Sequence, residues 1–280
     1  MSTAIDLAPS RPRASLAAHP IHFLLRRLHS LTGVMFSGYV VVHLSINATL
    51  LQGTNPDVFQ MQVDKIHSLP FLALIEWSAI YLPIIFHTVY GIYIGLFMRP
   101  NVSEYGYTKN WFYFFQRVSA AILVFFILFH VLTMKGVFGG EFGKELTFVA
   151  HGHATQSTIN HIKAAWWVTY FVYPIGLLAG TYHLANGVWT AAISWGLTIS
   201  AKAQRRFGYV CIGLFAFTTA CAFGAWGKAA LGTVREIPEQ AEYVDPKGPS
   251  IVPTPADAMH ETKNAVTGED KTPPSKRNDK

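Results

Sequence analysis

Charge is scarce in this chain: only 14% of its 280 residues are Asp, Glu, Lys or Arg, against about 25% in ordinary soluble domains. Cysteine is scarcer still. Cys211 and Cys221 are the two present, about 15 Å apart along a helix that holds both, which is too far for a disulfide. Their number and spacing exclude a disulfide framework and a cysteine-held cluster. With no C-x-x-C-H, they also exclude covalently attached haem. No G-x-G-x-x-G occurs, so a dinucleotide-cradling turn is excluded as well.

What the chain has instead is apolar length. Hydrophobic residues make up 51% of it and gather in five runs, roughly 31–51, 70–98, 112–134, 164–194 and 207–231. Each exceeds the 18 or so residues that mark a membrane span, so an all-α integral membrane fold with five transmembrane helices is expected. Arg26 and Arg27 before the first run suggest a signal peptide. That run is too long for a signal core and ends in SINATLLQGTNP without a small-residue cleavage site, so it reads as a retained helix. The expected organisation is a flexible N-terminus (1–20), a membrane domain (21–232) and a polar, proline-rich tail without a core (233–280).

The net charge of +6 does not form a nucleic-acid-binding stripe. Arg11, Arg13, Arg26, Arg27, Arg99, Lys109, Arg117, Lys202, Arg205 and Arg206 all fall on the N-terminal side of helices 1, 3 and 5, whereas the opposite loops hold Lys65, Lys135, Lys144 and Lys163. Under the positive-inside rule the N-terminus is cytoplasmic and the C-terminus outside.

Four of the runs contain one central histidine each: His43, His87, His130 and His183. Ionisable groups inside hydrocarbon are costly and rare, and imidazole is a usual axial ligand of haem iron. The plain alternative for any one of them is a hydrogen-bonded core residue. Their depths argue otherwise. Helices 1 and 3 run outward and 2 and 4 inward, which puts His43 and His130 in the outer half and His87 and His183 in the inner half. In an up-down-up-down bundle helices 1 and 3 are diagonal, as are 2 and 4. Each diagonal couple can thus hold one of two non-covalent haems, with the fifth helix packed outside. Gly91 and Gly187, each one turn past a histidine of the inner pair, share its helix faces and leave room for a flat macrocycle.

The motifs RRLHS, HSLPF, YLPIIFHTVYGIYI, KNWFYFFQRV and HLANGVWTAAISWGLT closely resemble the cytochrome b subunit of bacterial succinate dehydrogenases, in its five-helix, di-haem form. The resemblance covers about residues 22–231. It implies that His43, His87, His130 and His183 are axial ligands of two haem b groups. It also implies partners: a flavoprotein subunit with FAD and an iron–sulfur subunit that passes electrons to this anchor and on to a membrane quinone, menaquinone in the usual member. The same architecture run in reverse is a quinol:fumarate reductase anchor. A haem-free scaffold or transporter, or the cytochrome of another membrane dehydrogenase, fits the motifs less well.

Several polar residues complete the expectation. Arg26, Arg27, His29 and Arg117 lie at the cytoplasmic edge, where propionates of the inner haem need basic partners. His29 precedes His43 by nearly four helical turns and so shares its face. Glu76 is the one acidic residue inside a run, about three turns before His87 and so on the same face. It is a candidate for quinone-linked proton transfer. Asn47, Thr133, Asn186, Trp77, Trp166, Trp167 and Trp189 are candidate lining residues of the haem or quinone pockets. His151, His153 and His161 read as part of a solvated outer loop.

Overall fold

The computed structural model describes residues 20–97 and 102–237; the expectations for the N-terminal segment and for the tail from Pro238 onward lie outside the described residues. Helix α1 (Pro20–Asn47) runs 28 residues and continues into a 3-10 turn, Ala48–Gln52. Its hydroxyls are satisfied within the helix, Thr32 donating to the Leu28 carbonyl, Ser37 to Gly33 and Ser45 to Val41. A helix in lipid has no water for its polar groups and must pair them internally. Gly53 (φ 87°) ends the turn. The short helix α2 (Val58–His67) follows, capped by the Asp57 carboxylate accepting from Gln60 N at 3.0 Å.

Helix α3 (Leu72–Phe97) and helix α7 (Val168–Ser194) share an irregularity. Each contains a wide π turn, Trp77–Tyr81 in α3 and Val168–Val172 in α7, and each π turn is closely followed by proline, Pro83 or Pro174. Proline brings no N–H and its ring crowds the carbonyl one turn back. Those carbonyls belong to Ala79 and Tyr170, both inside the π turns, where the wider backbone takes up the crowding. Between them lie α4 (Thr108–Met134), α5 (Gly140–Leu146) and α6 (Ala154–Lys163); α8 (Ala201–Ala230) closes the described chain.

Helices α1, α3, α4 and α8 are each long and apolar enough to cross a membrane. Helix α7 meets that measure together with α6, from which it bends by 96°. In the most apolar stretches of the four continuous spans only 11–17% of residues are buried. Phe125, Leu96 and Leu82 are 75, 78 and 59% exposed. Water would not tolerate apolar surface on that scale; lipid is the solvent this surface fits.

Helix α3 packs on α1, α1 on α7 and α7 on α4, while α3 and α4 do not pack on each other along their length. The four therefore form an arc in which α1 lies diagonal to α4 and α3 to α7. Helix α8 lies behind α1 and α7. Its packed stripe is small: Cys211, Thr218, Ala222, Ala225 and Ala229 are buried, and Thr219 donates to Thr181 of α7 at 3.1 Å. Small residues let membrane helices approach closely without a hydrophobic driving force.

Helices α2, α5 and α6 gather at one end, here termed the capped end. Gln60 donates to the Ala150 carbonyl and accepts from Ala154 N, both at 2.7 Å, and Thr155 donates to Asp57 at 2.8 Å. The first tail residues are held there too. Gln156 donates to the Thr233 carbonyl and Asn160 to that of Arg235, so the chain stays pinned to the cap as far as residue 235. At the opposite, basic end lie Arg26, Arg27, Lys109, Arg117, Lys202, Arg205 and Arg206, within the first three turns of α1, α4 and α8.

Candidate functional site

The arc brings the four span histidines together as two couples. The His43 and His130 rings lie with centres 6.1 Å apart and planes at 73°; those of His87 and His183 lie 6.2 Å apart at 90°. Two imidazoles sharing one metal, with bonds of about 2.0 Å and about 1.1 Å more to each ring centre, have centres about 6 Å apart. Both couples meet that spacing.

The couples sit at different depths. His29 stacks on His87 with centres 4.1 Å apart and planes within 8°, and so marks the level of the second couple on α1. On α4 that level is marked by Gln116, whose carbonyl accepts from His183. The climb from His29 to His43 along α1, and equally from Gln116 to His130 along α4, is about 21 Å at 1.5 Å per residue.

Hydrogen bonding fixes the tautomers. A carbonyl can only accept, so His87 Nδ1 donates to the His29 carbonyl at 3.0 Å and His183 Nδ1 to that of Gln116 at 3.2 Å. Ser119 Oγ stands 3.3 Å from the same His183 nitrogen. Each ring thereby keeps a free Nε2 lone pair, the arrangement metal-binding histidines adopt. His130 Nδ1 lies 3.0 Å from the Tyr173 hydroxyl, whose oxygen stands 2.7 Å from Nε2 of His161. His161 Nδ1 donates to the Leu146 carbonyl at 2.6 Å. Its Nε2 must then accept from Tyr173, and Tyr173 from His130, so His130 Nε2 is free as well. His43 departs from this pattern. Asn47 Nδ2 stands 3.3 Å from His43 Nε2 and donates to the His43 carbonyl at 2.7 Å.

His161 was expected in a solvated loop, but it is fully buried in α6. Burial pulls its pKa down to about 4 from 6.5, which keeps it neutral at physiological pH. His151 turns instead to His67, with ring centres 5.3 Å apart. His67 itself is held below the usual histidine range by burial first and by His151 next. Among the described residues no three His, Cys, Asp or Glu side chains converge on a possible metal position.

A Cβ on Gly91 would stand 3.1 Å from His29 Cε1 and one on Gly187 3.4 Å from Gln116 Nε2, so both openings face side chains. The closest approach to a span histidine belongs to Gly33, unremarked in the sequence, which abuts His87. Of the basic-end residues, Arg27 donates to the Ser194 carbonyl and lies over Trp195 at 5.2 Å. Arg117 donates to the Tyr113 hydroxyl at 2.6 Å, and Arg26 is exposed. His29 Nδ1 and the Tyr90 hydroxyl are buried without a hydrogen-bond partner among the described residues, and their rings lie 5.7 Å apart. Tyr90 carried no sequence signal beyond its place one turn after His87.

Glu76 does not share the face of His87 as an unbroken helix would require. The π turn between them adds a residue without adding a turn, which rotates the carboxylate by about 80° off that face. It is half-buried and an electrostatic neighbour of Tyr39 and His67.

No family model matches the chain. A curated relative does: the succinate dehydrogenase cytochrome b558 subunit of Bacillus subtilis (strain 168) is 31% identical over 194 residues, 69% of this chain and 90% of the relative. The chain belongs to the succinate dehydrogenase cytochrome b family. The stretch of likeness is long enough to take in most of the membrane domain. As a member of that family, with four or five apolar helices able to span, the chain is an integral membrane protein.

Proposed function

We propose that this chain is the di-haem membrane anchor of a succinate:quinone oxidoreductase. The observation that carries the reading is the pair of diagonal imidazole couples, spaced at 6.1 and 6.2 Å and about 21 Å apart in depth. The family membership supports it. His43 and His130 would hold one haem b and His87 and His183 the other, with no open iron position left for oxygen or substrate. Bound there, haem supplies reversible one-electron storage. The protein supplies the rest. The Nδ1–H bonds of His87, His183 and His130 orient their rings, and the apolar spans exclude water.

The unpartnered His29 Nδ1 and Tyr90 hydroxyl suit a polar group entering beside the His87–His183 couple, such as a haem propionate. Arg26, Arg27 and Arg117 supply positive charge at that end. We read the basic end as cytoplasmic, facing an iron–sulfur subunit and, beyond it, an FAD flavoprotein that oxidises succinate. The capped end is then outside, with the C-terminus. Quinone, menaquinone in this reading, reacts near the His43–His130 couple, with Glu76 as proton carrier. The reverse direction, quinol:fumarate reductase, uses the same anchor.

A redox-titrated spectrum of the purified complex tests this. Two b-type signals are expected, one lost in His43→Ala and His130→Ala and the other in His87→Ala and His183→Ala. A single signal, or four variants that each retain both, would reject the assignment.

A further inference from the structure

The two couples differ in what receives the ligand's Nδ1 proton. At the basic end the acceptors are peptide carbonyls, of His29 and Gln116, whose acceptor strength is set by the backbone. At the capped end the acceptor of His130 is the hydroxyl of Tyr173, which is itself a donor to His161. His161 in turn is anchored on the Leu146 carbonyl, one of the unpaired carbonyls that end α5. Three helices, α4, α7 and α6, and the end of a fourth thus contribute to one line of hydrogen bonds.

The line is enclosed. His161 is fully buried and Tyr173 is 6% exposed. Phe126 stacks on His130 at 5.8 Å and stands perpendicular to the Tyr173 ring with centres 5.5 Å apart. A Cβ on Gly176 would collide with the Phe126 ring, so that phenyl group is pressed against the couple. The 96° bend between α6 and α7 is what carries His161 back over Tyr173. A hydroxyl that donates becomes a better acceptor, because bonds in a buried chain polarise one another. A stronger acceptor on Nδ1–H makes an imidazole a more basic metal ligand.

We infer that Tyr173 and His161 are positioning residues for His130: together they fix its tautomer and raise its donor strength, and so lower the reduction potential of the capped-end haem relative to a ligand whose Nδ1–H has no acceptor. This rests on the di-haem reading above. Neither residue touches iron. Tyr173 acts through His130, and His161 through Tyr173.

The test is a potentiometric titration of the purified complex, with low-spin ferric electron paramagnetic resonance. Tyr173→Phe keeps the packed ring and removes the hydroxyl. It is expected to shift the oxidised-to-reduced ratio of the capped-end haem about tenfold towards reduced, a rise of about 59 mV for one electron, while the other haem stays within about twofold. His161→Leu should move the same haem in the same direction, and the double variant no further than Tyr173→Phe alone, because the two lie in one series. His161→Gln, whose amide can accept from Tyr173 and donate to Leu146, should return the potential and the resonance signal to wild type. An unmoved capped-end potential in both Tyr173→Phe and His161→Leu, with both haems bound, overturns the inference, as does an equal shift of both haems. If Tyr173→Phe does not assemble, equal potentials in His161→Leu and His161→Gln overturn it. A wild-type complex without b-type absorption would reject the di-haem reading instead, which keeps the two failures apart.

Discussion

Gly33 of α1 lies so close to His87 of α3 that a Cβ there would stand 2.6 Å from the imidazole Cε1 and 2.8 Å from Nδ1. The nitrogen concerned is the one that donates to the His29 carbonyl. The missing side chain is therefore what allows α1 to deliver that carbonyl to the ring. Gly33→Ala is expected to push the imidazole off its acceptor at a cost of about 1–3 kcal/mol, and to remove or broaden the b-type signal assigned to His87 and His183 while sparing the other. Gly38 in the same helix has nothing within 4 Å of its Cβ position. Gly38→Ala should leave both signals intact and gain up to about 1 kcal/mol from helix propensity. Spectra and thermal unfolding of the two variants side by side decide the matter; equal behaviour would refute the role given to Gly33.

Asn47 occupies the nitrogen that its neighbour His43 would offer to iron. Its amide lies 3.3 Å from His43 Nε2 and 2.7 Å from the His43 carbonyl. With His43 as an iron ligand, as proposed, the amide would turn away from Nε2 and keep the carbonyl bond. Asn47→Ala removes a competing donor whose net worth is about 0.5–1.5 kcal/mol. The capped-end haem should then be retained as well as in the wild type or better, up to about tenfold, when the complex is challenged with excess apomyoglobin as haem acceptor. Faster loss from the variant would show that Asn47 supports the bound haem instead of competing for its ligand.

Much of the architecture was legible because lipid imposes a coarse rule: apolar runs long enough to cross become helices, and alternating direction fixes which pairs are diagonal. Couples such as His43 with His130 follow from depth alone. What escaped depends on single residues acting locally. Pro83 and Pro174 are each absorbed by a π turn that no sequence pattern announced, and the turn before Pro83 is what rotates Glu76 out of the His87 face. His161 sits in a polar stretch, HGHATQSTINH, whose composition reads as loop. Its hydroxyls and amides are satisfied inside the cap, as when Ser157 bonds around Val149, so a polar segment is buried without penalty. Gly33 and Gly91 look alike in sequence, both close in helical register to a histidine. Only the crossing of α1 with α3 decides that Gly33 abuts His87 and Gly91 abuts His29.

Glu76 offers the sharpest test of where quinone reacts. It is the one acidic residue among the described residues of the five long helices, and its electrostatic neighbours are Tyr39, which stacks at 5.6 Å on His43, and His67 of α2. A half-buried carboxylate between the capped-end couple and the membrane surface can exchange protons with water and with a quinone held beside it. Reduction of quinone takes up two protons, and removal of a positioned proton carrier costs typically about 10²-fold or more in rate. Glu76→Gln is therefore expected to lower succinate:quinone turnover by about that factor and to flatten its pH dependence. Both b-type spectra should persist, as should succinate oxidation with an artificial acceptor that takes electrons ahead of this subunit. The split matters, because a merely structural Glu76 would lower all of these together or none. Wild-type turnover with an unchanged pH profile in Glu76→Gln would move the quinone's proton source elsewhere, with Tyr39 and Tyr81 as the next candidates on the same flank.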